Sequence, residues 1–416
     1  MILPKYSIGI GDRFGRQGTA QLAAVLKARQ QGVAVTPVWN KSNREHSIIG
    51  TSPADVRTEA DAAVASADFP VKYFVDADHI NLSTVEPFIE PSDFFTLDVA
   101  DWIGRAAAPK GIDAFIEEHR RFIGALTIPG IDEILDITEQ RLRSIAVRYL
   151  LAIQEAGRLY RHIEAAKGRD NFITEVSMDE TAEPQGPVEL LFILAAVARE
   201  GIPAQTIAPR FSGRFNKGVD YVGDMARFKR EFDEDMAVLA FAAVEFDLPR
   251  NLKLSIHSGS DKFSIYRPMR TSMKKFDAGL HLKTAGTTWL EELIGLACAG
   301  GDGLALAKEV YAQALARIDE LTGPYANVID IHRDRLPSPE TVNQWDSETF
   351  VSTLRHDPSC DQYDPNVRQL LHVGYKIAAE MGPRYYEALQ KHEHSIAPNV
   401  TGNLYDRHIR PLFIGP

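Results

Sequence analysis

Eight short apolar runs punctuate this chain, and nearly every one gives way at its C-terminal end to charge, histidine or hydroxyl. They read as strands over 6–10, 33–38, 71–75, 94–97, 172–178, 204–207, 252–256 and 279–282. Most are almost continuously apolar rather than alternating, as strands covered on both faces must be. Helical stretches separate them, which is the pattern of a parallel α/β architecture. Eight such units predict a (β/α)8 TIM-like barrel, whose βα loops all meet on one face. The segments GDRFG, WNKSNREH, DADH, Asp98 with Asp101, SMDET, PRFSGRF, HSGSDK and HLKTAGT would then converge there.

A chain of 416 residues exceeds the roughly 150 residues usual for a domain, but α/β barrels run longer as single units. The expected division is a catalytic barrel over 1–290 and a helical C-terminal extension over 291–416 packed on it. A helical insertion at about 105–168, between the fourth and fifth strands, is expected to cover the site. A helix over 19–30 would open on a Thr19 cap, a long amphipathic helix would fill 218–245, and 336–364 reads as loop-rich.

At 44% hydrophobic and 25% charged residues, the composition is that of an ordinary globular protein. The net charge of −11, with dispersed basic residues, gives no electrostatic footprint for nucleic acid. No apolar run approaches the roughly 20 residues of a membrane span. MILPKYSIGI lacks the basic flank and long apolar core of a signal peptide. Cys298 and Cys360 show no metal-pair spacing and fit a reducing cytoplasm, the expected location. Homo-oligomerisation is left open. GIGDRFG lacks the third glycine of a dinucleotide fingerprint, and no Walker motif occurs. Gly259 would let backbone approach a ligand, and KTAGTT could hold a phosphate, carboxylate or hydroxyl on its N–H groups.

His79, His257 and His281 lie at or beside strand ends, on the third, seventh and eighth barrel positions. Neutral imidazole is the commonest protein ligand for a divalent cation, so together they point to a metal such as Zn, Mn, Ni or Fe. One strand-end histidine alone is more often a hydrogen-bonded structural residue. His281 precedes Lys283 on the same strand phase, which could set it deeper in the barrel and serve the substrate instead. Asp78 and Glu175 are the acid/base candidates. Glu175 lies inside FITEVSM, and a charge in a buried strand needs a partner. A structural salt bridge to a barrel Arg or Lys is the alternative. Ser177 and Asp179 share its phase and extend a polar wall toward substrate. Arg13, Arg210, Lys262 and Lys283 could bind a substrate carboxylate, and Ser258 and Asp261 could order hydroxyls and charge around it. Solvated surface charge is the alternative, more so for Arg13 than for Arg210.

GDRFG, DADH, TEVSMDET, PRFSGRFNKGVDYVGD, HSGSDKFSIY, HLKTAGTTWLE and VRQLLHVGYK span most of the chain in order. They resemble the successive motifs of the bacterial tagaturonate epimerase family, HSGSDKFS being long enough to be very specific. The resemblance implies a metal-dependent isomerase of hexuronate catabolism that interconverts tagaturonate and fructuronate. It further implies Asp78 as proton acceptor, Glu175 as proton donor, and His79 and His257 as metal ligands. The family carries a longer N-terminal portion before its Gly-Asp-Arg motif, so a divergent branch acting on a related ketohexose is an alternative.

The two uronates differ at C4, two bonds from the C2 ketone, so the C4–H is not acidified by that carbonyl. A retro-aldol cleavage of C3–C4 avoids the difficulty, with a base on the C4 hydroxyl and a cation stabilising the enolate. The aldehyde half would rotate and recombine on its other face, between Asp78 and Glu175 on opposite sides exchanging acid and base roles. A metal-dependent aldolase or ketose isomerase acting on a sugar acid is the competing enzyme. A non-catalytic sugar-acid binding protein is the competing class, and opposed carboxylates around a metal argue against it.

Overall fold

The computed structural model describes residues 1–415 except 68, 71, 180, 182, 259, 285 and 286. Among the described residues the strands in chain order are β1 (Tyr6–Ile10), β2 (Thr36–Ser42), β3 (Phe74–Ile80), β4 (Phe94–Asp98) and β5 (Gly124–Leu126), followed by β6 (Leu135–Ile137), β7 (Ile173–Ser177), β8 (Thr206–Ala208), β9 (Lys253–His257) and β10 (Leu280–Lys283). All but β5 and β6 pair in parallel in the order β1-β2-β3-β4-β7-β8-β9-β10, and β10 closes back on β1 with Gly9 opposite Lys283. The chain is thus a (β/α)8 barrel of the TIM type. All eight expected strands occur, but β2 and β3 run later than the sequence reading. Their polar ends, Asn40 and the Asp76 to His79 stretch, remain strand because the upper barrel interior is itself polar.

The register explains that interior. Phe74, Phe94 and Ile173 pack with Val38 and Leu3 into an apolar plug at the bottom of the barrel. One layer up, two residues along each strand, come Asp76, Thr96 and Glu175, in a row with His281 beside Ser7 and Ser255. Above them lie Asp78, Asp98, Ser177, His257 and Lys283. The intervening residues, such as Val75, Phe95, Val176, Ile256 and Leu282, face outward and are buried beneath the helices. The period of two therefore sorts each strand into an apolar outside and an inside that becomes more polar toward its C-terminal end.

Thr19 does not cap the first helix, Gly18–Gln30. The Asp12 carboxylate organises the turn before it, accepting from the N–H groups of Phe14 (3.0 Å), Gly15 (3.0 Å), Arg16 (2.6 Å) and Gln17. The later amphipathic helix begins at Met225, where Asp224 caps it, rather than at 218. Between β4 and β7 the chain forms the helix Pro109–Glu118, the β5–β6 hairpin and a 29-residue helix, Glu139–Lys167. Thr138 caps that helix, Gly168 (φ +81°) ends it, and it serves as the barrel's own crossover helix. The hairpin was not expected, and no described residue of this segment lines the cavities at the barrel mouth. The cover comes instead from the C-terminal helices.

Those helices build a second core around Trp289, Leu293, Leu306, Tyr311, Leu370, Tyr375 and Ile396, into which Phe14 reaches from the loop after β1. The stretch read as loop-rich carries two short helices, Pro339–Asn343 and Ser347–Leu354. The last helix, Asn403–Ile414, returns to the barrel and buries Leu404, Ile409, Leu412 and Phe413 in its outer core. No helix among the described residues is long and apolar enough to cross a membrane.

Candidate active site

Two consecutive residues of one strand normally face opposite ways, yet Asp78 and His79 both line the same cavity. The reason is a bulge. Asp76 pairs with Phe94 and Ala77 with Phe95, but Ile80 pairs with Leu97, so β3 carries one residue more than β4. His79 absorbs the surplus with φ +50°, a backbone conformation uncommon outside glycine. Its Nδ1 turns toward Asp98 at 3.4 Å. Strained, re-aimed residues of this kind concentrate at functional sites.

Lys283 stands at the centre of the upper layers. Its ammonium lies 2.7 Å from Asp78, 2.8 Å from Asp76 and 3.1 Å from Glu175, and donates to the Thr96 hydroxyl at 2.5 Å. Thr96 in turn sits 3.0 Å from both oxygens of Asp76 and 3.2 Å from Glu175. Burial pushes the three carboxyls toward neutrality, and Lys283 opposes it. The outcome differs by position: Asp78 is pulled down to about 2, Glu175 is held well below its ordinary range, and Asp76 rises to about 7. Gly9 makes room for the lysine, since a Cβ there would stand 3.0 Å from Lys283 Cγ. The salt bridge weighed against a catalytic Glu175 is therefore present. Asp78 and Glu175 do not flank a gap as expected; they share one ammonium, and only Asp78 lines the cavity.

His257 caps β9 and donates from Nε2 to Glu175 at 2.8 Å, leaving Nδ1 turned toward Asp179 at 3.3 Å. The His79 and His257 rings meet edge-on, 5.0 Å between centroids. One ligand atom from each of His79, Asp179 and His257 lies within 4.8 Å of the others, a two-imidazole, one-carboxylate set suited to a divalent transition metal. The buried Nδ1 atoms of both histidines have no hydrogen-bond partner. The carboxylates around them call for positive charge. Against the effect of burial, Asp78 drives the His79 imidazole up to about 10, and Asp179 raises His257. A cation would meet the same demand. The Glu175 to His257 hydrogen bond would fix the imidazole's tautomer were a cation bound there. His281 is not part of this set. It is fully buried one layer down, with Nδ1 2.9 Å from Ser7 Oγ and its ring against Phe94 at 5.3 Å.

The other expected substrate contacts divide. Arg13 is buried, not surface, paired with Glu45 at 3.2 Å and laid over Tyr375, and it lines the cavity. Arg210 lines an adjoining cavity and donates to the Asp179 carbonyl at 3.1 Å. Ser258, Asp261 and Lys262 turn inward instead. Ser258 donates to the Lys283 carbonyl at 2.6 Å. Asp261, fully buried, accepts from Arg368 (2.7 Å) and Thr287 (3.0 Å), with His408 at 3.0 Å and His356 at 3.2 Å. Lys262 donates to the carbonyls of Asn216 (2.9 Å) and Val219 (2.7 Å). Asp261 locks the barrel to its C-terminal extension, Ser258 and Lys262 tie barrel loops together, and none of the three lines either cavity. Gly259 and the Ala285–Gly286 step of KTAGTT lie outside the described residues.

Two cavities, about 260 Å³ and 580 Å³, meet at Asp179 and His257. The smaller carries Asp78, His79, Asp98, Glu45, Arg13 and Lys283; the larger adds Arg210 and Arg214, and Arg44 and Lys217 line both. The acids and imidazoles thus gather at one end of the cleft, interleaved with cations, while the other end carries an excess of basic groups. Asp76 and Thr96 were missed as site residues, although the period of two from Asp78 and the register with Glu175 mark both. Tyr325 and His372 were missed because nothing local to them signals that the extension folds over the barrel mouth.

A family model described as tagaturonate epimerase matches residues 2–410. A tagaturonate/fructuronate epimerase from Thermotoga maritima is 28% identical over 424 residues, covering 97% of this chain and 80% of that protein. The native structure of a fructuronate-tagaturonate epimerase from Cohnella laeviribosi superposes with a TM-score of 0.77 at 24% identity, over 98% of this chain and 81% of that one. A glycerol complex of the same enzyme gives 0.80 at 24% identity, over 98% and 81%. At such identity the structural likeness speaks for the fold.

Proposed function

Because this chain belongs to the tagaturonate epimerase family, an isomerase family, we propose that it interconverts tagaturonate and fructuronate by inverting C4 of the ketohexuronate. The observation that carries the reading is the cleft's polarity. A ketohexuronate has its ketone at C2 and its carboxylate at C6, on either side of C4. Asp78, His79 and Lys283 suit the oxygen-rich ketone end, while Arg210 and Arg214, which line only the larger cavity, suit the carboxylate.

His79, Asp179 and His257 would hold a divalent cation. Bound there, it would supply positive charge to oxygens that gain negative charge as the reaction proceeds. Asp78, ionised across the neutral range, takes the proton of the C4 hydroxyl as C3–C4 breaks. The aldehyde half, which keeps C5 and the carboxylate, turns within the wider basic cavity, and C3–C4 re-forms on its other face. The Lys283 ammonium gives its proton to the new C4 oxygen and recovers one from Asp78, so the pair ends as it began. Glu175 acts through the two groups that it touches, His257 and Lys283.

The test is exchange: a labelled three-carbon aldehyde acid added during turnover should enter the six-carbon product. Turnover without any exchange or trapping of that half would remove the C–C cleavage route. Net accumulation of three-carbon products would instead mark an aldolase.

A further inference from the structure

His372 belongs to VRQLLHVGYK, a motif that neither the cation set nor the acid/base pair uses. It lies in the helix Pro365–Val373 of the C-terminal extension, is 2% exposed, and lines the smaller cavity with Asp78, His79 and Lys283. Both of its ring nitrogens are buried without a hydrogen-bond partner. A buried polar atom left unpaired is costly, so a fold that keeps one at a cavity wall reserves it for a ligand.

The helix is held with unusual firmness for a surface addition. Arg368, four residues before His372 and fully buried, donates to the carbonyls of Gly218 (2.6 Å) and Leu354 (2.7 Å) and to Asp261 (2.7 Å). Leu371 accepts from the Trp289 indole at 2.6 Å. Gly218 (φ +80°) packs below, where a Cβ would stand 3.3 Å from His372 Cβ. The buried Asp261 cluster of the HSGSDK segment thereby positions His372.

The ring faces positive neighbours. Burial, together with Arg13, Lys217, Arg368 and Lys262, keeps the imidazole neutral. A neutral imidazole presents one N–H donor and one lone pair. A hydroxyl, which both donates and accepts, can satisfy either nitrogen; a carboxylate can only accept and has better partners in Arg210 and Arg214 of the larger cavity.

We propose that His372 is a substrate-binding residue that reads a hydroxyl of the sugar from the C-terminal extension, so that the extension completes the site rather than merely packing on the barrel. This rests on the epimerase reading above. The experiment compares full-length, metal-reconstituted wild type with His372→Phe and His372→Asn, measuring KM and kcat for tagaturonate and the melting temperature. Phenylalanine fills the space without polar atoms, so KM should rise roughly 10- to 100-fold, from loss of one buried hydrogen bond, while the melting point stays level or climbs. His372→Asn, which can still donate and accept, should recover most of the KM. A KM within twofold of wild type for His372→Phe overturns the inference. So does a melting point several degrees lower in both variants with activity lost in parallel, which marks a structural role. Wild type inert toward tagaturonate would instead sink the epimerase reading, a separate result.

Discussion

The Lys283 ammonium lies 2.7 Å from the Asp78 carboxylate, at the level where the barrel interior opens into the cavity. That contact keeps a buried carboxylate ionised and fixes the group that the proposed chemistry uses as base. Asp78→Asn removes the base but keeps the shape. It should lower kcat by about 10²- to 10⁴-fold while metal content stays at the wild-type level. Rate and bound metal measured on the same sample check this.

Replacing Lys283 should do more. Lys283→Met leaves Asp76, Asp78 and Glu175 buried without their shared cation. Breaking a buried ion pair from one side costs about 3–5 kcal/mol, so the urea midpoint should fall together with activity. A variant of unchanged midpoint would show that the carboxyls simply protonate.

The cation set makes a sharp distinction among three histidines. His79→Ala and His257→Ala should each lose bound metal, and so should Asp179→Ala, whereas His281→Gln should bind it as wild type does. Metal analysis after dialysis decides, and loss of metal in His281→Gln would contradict the ligand set.

His281 should show itself in stability against pH. Burial lowers its pKa from 6.5 to about 3 in the folded chain. Between those values the unfolded state binds the extra proton, so stability rises with pH. The contribution is full above about 6.5, is lost as pH falls, and levels off below about 3. Urea unfolding across that range should be flatter for His281→Gln than for wild type, by up to a few kcal/mol at the acid end.

How much of this was written locally in the chain depends on what each residue answers to. The eight strands answer to their own apolar runs, and the barrel followed from them. Asp78, His79 and His257 answer to strand ends and were legible. His281 shares that signature, but it pairs with Ser255 while Lys283 pairs with His257, one layer higher. Asp179, expected on the wall facing substrate, instead stands with His79 and His257 as a candidate ligand. The bulge that turns His79 inward has no glycine or proline to announce it. Asp261 and Lys262 resembled substrate contacts because their partners, Arg368 and the Asn216–Val219 loop, are far away in sequence.

That distant partnership has its own consequence. Arg368→Met leaves Asp261 buried and charged with only the histidines and Thr287 beside it, and should cost about 3–5 kcal/mol. Because the same pair holds the His372 helix, KM for the sugar acid should rise as well. Chemical denaturation and steady-state kinetics on one preparation test both.

If this cleft inverts C4 of a ketohexuronate with a cation on His79, Asp179 and His257, turnover must stop without the cation. The direct measurement follows carbon-13 tagaturonate by NMR with chelator-treated protein, then after adding back Zn, Mn, Ni or Fe. The mixture should approach one equilibrium ratio of the two uronates from either side, only with metal restored, and no conversion should occur with His257→Ala. Full conversion by thoroughly demetallated protein, or none with any of the four metals, would contradict the cation-dependent inversion.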